Sequence, residues 1–379
     1  MEQEVAIVDA VQTRHGSALK ENIREIMFST VRQLLNRVGI EKSEIGTMVS
    51  SSSDYWQGIS CSNSYYYDAA GANLKSGSKA AEDSALGFHY GAMRILSGHY
   101  KTVLVTSITK CSEAPPVDTL THLATDPFFQ RPVGLNETIS TALQAKAYLH
   151  RFELNEEDLA GVPIKNLANA QNNPNAHRKG VLSLDDVLAS PTMASPLREI
   201  DVPNTSDGAC AILLATKEVA KDLTKRPVFV QGLGWNVSET FLGDRDLLNG
   251  SLPKAAKMAY KMANIEKPLD DIDVAEICDT TSFNEILWTE QLGFCAPGKG
   301  TDLLKDGITS MGGALPVNPS GGLFGANPYV ARGLIRIAEI ALQLKGEGEK
   351  RQVPDAKRGL AHSVHGLGGQ LHSVVVLGV

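Results

Sequence analysis

Apolar and polar positions along this chain alternate between short aliphatic runs and longer amphipathic ones. The stretch "EVAIVDAV" (4–11) predicts a strand, and "ENIREIMFSTVRQLLNRVGI" (21–40) predicts an amphipathic helix that stops at Gly39. A second strand follows in "EIGTMVSSSS" (44–53). The segment "SGSKAAEDSALGFHYGAMRILSG" (Ser76–Gly98) reads as a helix and leads into the strand "TVLVTSI" (102–108). Small residues at Ala81, Ser84, Ala85, Gly91 and Ala92 would let another backbone come close to that helix. Glu82 and Asp83 are expected in its first turn, where the positive end of the helix dipole favours acids. From Arg226 the order begins again: strand "RPVFVQGLGW", helix "LPKAAKMAYKMANI", strand "DIDVAEICD", helix "NEILWTEQLGF". Strands alternating with helices in this way predict an α/β fold.

The two halves also echo locally. "SEIGTMVSSS" (43–52) and "DDIDVAEICD" (270–279) each follow a helix and alternate acidic and aliphatic residues before a small or polar end. A duplicated α/β unit accounts for this. Residues 1–110, completed by 206–225, form the first half, and 226–379 form the second. Between them, 111–205 has a different texture, with clustered prolines in "SEAPPVDTLTHLATDPFFQRPVG", the polar "NAQNNPNAHRKG" and helical pieces such as "ALQAKAYLHRF". Loops and helices inserted over a core are the usual material of a substrate cover.

Composition narrows the class. The 379 residues can bury a large core, and 42% hydrophobic with 21% charged residues is ordinary for a soluble globular protein. A net charge of -7 argues against a nucleic-acid surface. No apolar run is long enough for a membrane span, and the N-terminus enters strand-like sequence without a signal peptide. The five cysteines, Cys61, Cys111, Cys210, Cys278 and Cys295, are odd in number and lack CxxC spacing. Neither a disulfide framework nor a zinc site within the chain is expected, and the setting reads as a reducing cytoplasm.

Four stretches carry chemistry. They are "SDGACAILL" (206–214), "AEICDTTSFNEILWTEQLGFC" (275–295), "VNPSGGLFGANP" (317–328) and "GLAHSVHGLGGQLHSVVVL" (359–377). In this order, over nearly the whole chain, they resemble the motifs of the thiolase superfamily, nearest to its sterol-carrier-protein-type branch. The resemblance implies a duplicated, five-layered α/β/α core. It also implies chemistry on coenzyme A thioesters, in which a C–C bond β to the thioester is made or broken. In that family a Cys carries the acyl group, oxyanion holes hold the developing charges, and a second Cys or a His moves the α-proton.

The residues that do this work are altered here. The ungapped alignment places Ala81 where the nucleophilic Cys is expected, and a short shift places Ser84 there. Asn327 of "GANP" replaces the family's His, and its amide can still donate to a thioester oxygen. Asn284 and Glu285 retain the "NE" pair, whose Asn holds a water in the family's oxyanion hole and could equally cap its helix. Cys278 falls where the family has a His, as either a proton carrier, a displaced nucleophile or a buried inert thiol. "HGLGGQ" places His365 at the acid/base position, with His362 and His372 as neighbours that cannot all face one pocket. Ser320, Gly321 and Gly322 match the loop that approaches the coenzyme. The helix start around Ala81 is expected to offer backbone N–H groups to an oxyanion. The run Tyr65–Tyr66–Tyr67 would border the pocket or pack a loop.

The resemblance thus implies a thiolase-like acyltransferase that cleaves, or forms by Claisen condensation, a bulky β-oxoacyl-CoA, with aromatic acyl groups among the candidates. Coenzyme A is then a substrate, and no metal is held by this chain. A thiolase-fold retro-aldolase acting on a β-hydroxyacyl-CoA and a non-catalytic CoA-binding or scaffold subunit are the alternatives. The branch implies a homodimer and a small zinc-ribbon/OB-fold partner subunit. "GLGGQL" precedes a strand at the chain's end, the wrong context for a dinucleotide loop.

Overall fold

The computed structural model describes residues 4–379, so the first three residues of the expected N-terminal half lie outside it. The first half contributes β1 (Val5–Gln12), β2 (Thr47–Ser52), β3 (Gly77–Ala81), β4 (Thr102–Lys110) and β5 (Asp207–Thr216). The second contributes β6 (Val228–Val237), β7 (Val274–Glu276), β8 (Arg358–His365) and β9 (Leu371–Gly378). All nine are hydrogen-bonded in the order β3-β2-β4-β5-β1-β6-β9-β8-β7. Within the sheet, the described strands of the two halves meet through the short β1–β6 pairing, at Ala6–Phe229 and Ile7–Val228.

Read outward from that seam, both halves have the same topology. The first strand lies beside the last, then the next-to-last, then the second, with matching parallel and antiparallel senses. β2 and β7, whose sequences echo each other, hold equivalent places. The parallel bridge between Ala275 and Val317 stands where β3 pairs with β2 in the first half. The duplication expected from sequence is therefore present in the strand order.

Five layers follow from how the strands are buried. In β5, Cys210, Ile212 and Leu214 join one hydrophobic core while Ala209, Ala211, Leu213 and Ala215 join another. β9 divides the same way, with Val374 and Val376 on one side and Val375 and Leu377 on the other. Strands covered on both faces need unbroken aliphatic sequence, which is why these runs lack polar positions. The outer layer of the first half is α1 (Ile23–Val38) with the short helix Lys217–Leu223. The middle layer holds α2 (Ser84–Leu96) and, from the second half, α6 (Arg332–Lys345). Between them in sequence come α3 (Glu137–Arg151), α4 (Leu252–Ala263) and α5 (Ser282–Gln291); α4 and α5 form the far outer layer.

The predicted helix over 76–98 is shorter than its pattern suggests. Gly77–Ala81 form the edge strand β3, and α2 begins only at Ser84. The small residues of α2 do serve close approach. A Cβ at Gly91 would lie 2.6 Å from a methyl of Val105, and one at Gly87 would lie 2.2 Å from Ser51 Oγ. Gly91→Val should therefore cost about 1–3 kcal/mol of stability through overpacking. Urea unfolding measures this, and a midpoint equal to the parent's would show that α2 does not press on the sheet there.

Candidate active site

The site is built around the sharp turn from β3 into α2. The Asp83 N–H donates to Ala81 O at 2.9 Å, closing a three-residue turn around Glu82, whose φ is 68°. A γ-turn of this hand is rare and strained, and a non-glycine residue seldom occupies its apex. The next two residues are committed to packing. Asp83 is the N-cap of α2 and accepts from the Ala85 N–H at 2.9 Å, Ser363 Oγ at 2.8 Å and Ser373 Oγ at 3.0 Å. Ser84 is fully buried, and its hydroxyl accepts the Leu334 N–H at 2.8 Å.

Glu82 remains open. It lines a cavity of about 320 Å³ together with Tyr55, Trp56, Tyr329 and His365. Its carboxyl accepts from Ser53 Oγ at 2.5 Å and stands 3.8 Å from His365 Nε2. Burial raises the Glu82 pKa above the carboxylate norm. Burial, then the nearby Arg332 charge, lowers the His365 pKa to about 3, so its imidazole is neutral near pH 7. About a quarter of the His365 side chain still reaches open space, 26% against 30% for Glu82.

A second cavity of about 360 Å³ shares Tyr329 as a wall and is lined by Thr280, Thr281, Asn327 and Arg332. Asn327 is buried; its side-chain N–H₂ lies 3.5 Å from Pro203 O, and its Oδ1 has no protein partner. The carbonyl of Pro203 calls for the N–H₂ on its side, so the amide keeps a second N–H and a partnerless Oδ1 for a ligand. The Tyr329 hydroxyl donates to Glu137 at 2.7 Å, and its ring stacks on Trp56 with centroids 4.0 Å apart. The Arg332 guanidinium lies 4.3 Å from the Tyr329 ring centroid and donates to Val364 O at 2.8 Å. Its ion pair with Glu137 is long, 3.8 Å. This second chamber therefore offers hydrogen-bond donors and a buried cation, the first an acid/base pair and aromatic surface.

Residues 236–379 match the family model described as thiolase C-terminal domain-like. The acetyl-CoA acetyltransferase of Methanothermobacter thermautotrophicus is 30% identical over 375 residues, which cover 97% of each chain. The chain belongs to the thiolase superfamily. The family's activity is acyl-CoA C-acyl transfer. The benzoylsuccinyl-CoA thiolase subunit BbsB of Thauera aromatica is 31% identical over 220 residues, 57% of each chain. The solved Ltp2–ChsH2(DUF35) aldolase has the same fold, with a TM-score of 0.85 at 22% identity over 99% of this chain and 98% of that one.

The thiolase motifs divide sharply by position. His365 and Asn327 face the two cavities. Asn284 lies just behind the second one, its Oδ1 accepting from the hydroxyls of Thr280 at 2.7 Å and Thr281 at 2.9 Å. Glu285 is paired with Lys165 at 3.0 Å and accepts from Asn166 at 2.6 Å and Asn318 at 2.9 Å, which ties three segments together. Cys278 is fully buried and lines neither cavity, and burial pushes its thiol up to about 11. Ser320 hydrogen-bonds Glu276 and Arg336, and a Cβ at Gly321 or Gly322 would strike Ala170 or Asp279, so this loop packs against protein on these sides. His362 and His372 bond each other at 2.9 Å, fully buried.

Several expectations need correction at the turn. Ala81 ends the edge strand with its side chain exposed, and the apex is Glu82, one residue later. Ser84 is closed off by burial and its bond to α6. The Asp83 and Ala85 N–H groups already have partners, so neither is free for an oxyanion. Among the tyrosines, Tyr66 is buried beneath β2, Tyr65 meets Arg24 at the surface and Tyr67 packs under Gly77. None of the three lines either cavity. The aromatic walls come instead from Tyr55, Trp56 and Tyr329, which sequence reading passed over. Tyr329 stands two residues past Asn327, and that adjacency was the available signal.

The neutral state of His365 has a measurable signature. Its pKa is about 3 in the folded chain and ordinary, about 6.5, in the unfolded one, so between these values the unfolded state binds the extra proton. Its contribution to stability is complete above pH 6.5 and is lost as pH falls toward 3. The imidazole C–H resonances of His365, assigned by their loss in His365→Gln, should stay flat from pH 8 to 5. A midpoint near the ordinary value would contradict this environment.

Proposed function

We propose that the protein is a thiolase-like acyltransferase that uses coenzyme A to cleave a bulky, aromatic-tolerant β-oxoacyl-CoA, without an acyl-cysteine intermediate. Ala81 stands at the position matched to the family's nucleophile, so no thiol is there, and the next residue, Glu82, is the one that lines the chamber; this observation carries the reading. The thioester sits in the second chamber, with the second N–H of the Asn327 amide donating to its oxygen and Arg332 supplying positive potential. The acyl group lies against Tyr55 and Trp56, beside Glu82 and His365. The thiol of coenzyme A attacks the β-carbonyl directly, and binding of its long remainder supplies positioning.

Benzoylsuccinyl-CoA, giving benzoyl-CoA and succinyl-CoA, is the specific substrate this reading favours. Similarity to a benzoylsuccinyl-CoA thiolase subunit and the aromatic lining support it. A small zinc-ribbon/OB-fold partner subunit is part of the same reading, supported by the DUF35 component of the structural neighbour and by the subunit designation of BbsB. β3, paired on one side only among the described residues, supports a homodimer.

A second reading, retro-aldol cleavage of a β-hydroxyacyl-CoA, is favoured by the same carboxylate, because that reaction needs a base but no acyl carrier. Mass spectrometry of products from benzoylacetyl-CoA with coenzyme A, and from a matched β-hydroxyacyl-CoA, separates the two. Consumption of coenzyme A with release of two thioesters fits the first reading, and an aldehyde or ketone fits the second. An acyl adduct on any of the five cysteines would refute direct attack. Asn327→Ala should lower kcat by about 10²–10³-fold if its amide holds the oxyanion.

A further inference from the structure

Glu82 is open, strained and unassigned, while its neighbours Asp83 and Ser84 are wholly engaged. We propose that Glu82 is the proton-transfer group of this site, taking the proton of the attacking thiol and returning it to the α-carbon of the departing enolate. This rests on the reading that the acyl group lies in the Tyr55–Trp56 chamber.

Three features support it. The γ-turn holds a non-glycine residue at φ 68°, and its two flanking positions are tied down, Ala81 by the Asp83 N–H and Asp83 by three donors. Strain kept in place by its surroundings is characteristic of working residues. Glu82 is also the available carboxylate in its chamber. Asp126, the other one there, accepts the N–H groups of Phe128 and Phe129 at 3.0 Å and 2.7 Å and so closes its own turn. Finally, Glu82 Oε2 lies 3.8 Å from His365 Nε2, close enough for the neutral imidazole to meet the carboxyl after a small movement. The charged groups around it are Lys79 and Asp54, which pair with each other, and, beyond Tyr329, Arg332 and Glu137.

The step balances without a further reagent. The carboxylate removes the proton from the thiol of coenzyme A, and the sulfur forms a bond to the β-carbonyl carbon as the C=O electron pair moves to oxygen. That pair then re-forms the carbonyl while the Cα–Cβ bond breaks, and its electrons become the enolate of the second thioester. The Glu82 carboxyl gives its proton to the α-carbon, which restores the carboxylate. The thiol proton has moved to carbon, and nothing is oxidised or reduced. Burial of Glu82 raises its pKa, which makes the carboxylate a stronger base toward the thiol.

The test uses the full chain with its co-purified subunits and benzoylacetyl-CoA plus coenzyme A. Glu82→Gln should lose about 10²-fold or more in kcat with an unchanged melting temperature. The acidic limb of the parent's kcat/KM profile should vanish with it, and Glu82→Asp should recover part of the rate. A Glu82→Gln variant within about 3-fold of the parent overturns the proposal. Failure of the parent to turn over the probe counts against the reaction class instead, and infrared titration then decides Glu82. A carboxyl band present in the parent, absent in Glu82→Gln and titrating above the ordinary carboxylate value supports the assignment. One titrating at or below the ordinary value of about 4.3 overturns it.

Discussion

Asp83 is the constraint on which the site depends. Its carboxylate is buried at the start of α2, in the first half of the chain, yet two of its three donors are serines of the second half. Ser363 and Ser373 face each other across the β8–β9 pair, and β8 ends at His365. One acceptor group therefore fixes the turn carrying Glu82 against the strand carrying His365. Burial raises the Asp83 pKa, and the three hydrogen bonds limit that rise. A carboxylate so enclosed is costly unless fully satisfied, and this one is.

The same logic runs through the middle layer. α6 reaches both halves: Leu334 N–H meets Ser84, Arg332 walls the second chamber, and Arg336 pairs with Glu276 at 2.6 Å beneath the Ser320 loop. Glu339 continues the line by pairing with Arg351 at 2.9 Å and accepting from Gln12 of β1. Buried ion pairs add little net stability, but removing one partner strands the other. Their effect here is to give the two halves one register, and the chambers at the seam inherit it. The glycine-rich loop after His365 is held likewise, by Gln144, Ser140 and Arg245 from the inserted segment and β6's flank.

The repeated α/β order, the β2–β7 echo and the thiolase motifs were legible because they are written as periodicity and local spacing. The turn at Glu82 was not. An acid before a helix reads as a partner for the dipole, and no hydropathy pattern marks the end of a five-residue edge strand. Which residue becomes the apex is decided by one hydrogen bond, from Asp83 to Ala81, and by where the cap is anchored across the seam. Glu285 and Ser320–Gly322 carry a structural part that their motif did not announce. A motif preserves what a loop needs in order to fold as well as what it needs in order to react, and Lys165, Asn166, Asn318, Glu276 and Arg336 surround these residues as structural partners.

A turn without a thiol also changes how the molecule meets oxidants. A thiolate nucleophile stands at the foot of the oxidation ladder, because the ionisation that makes it attack also makes it react with peroxide. Here Cys210 and Cys278 are fully buried, and the Cys111 thiol, packed against the cluster that holds Tyr329 but lining neither chamber, is pushed up to about 12 by burial. Cys61 is exposed but lies outside both chambers. On the proposed reaction the proton carrier of the protein is the Glu82 carboxyl, which does not climb that ladder, so the site would suit conditions under which a nucleophilic thiol at this turn would be lost.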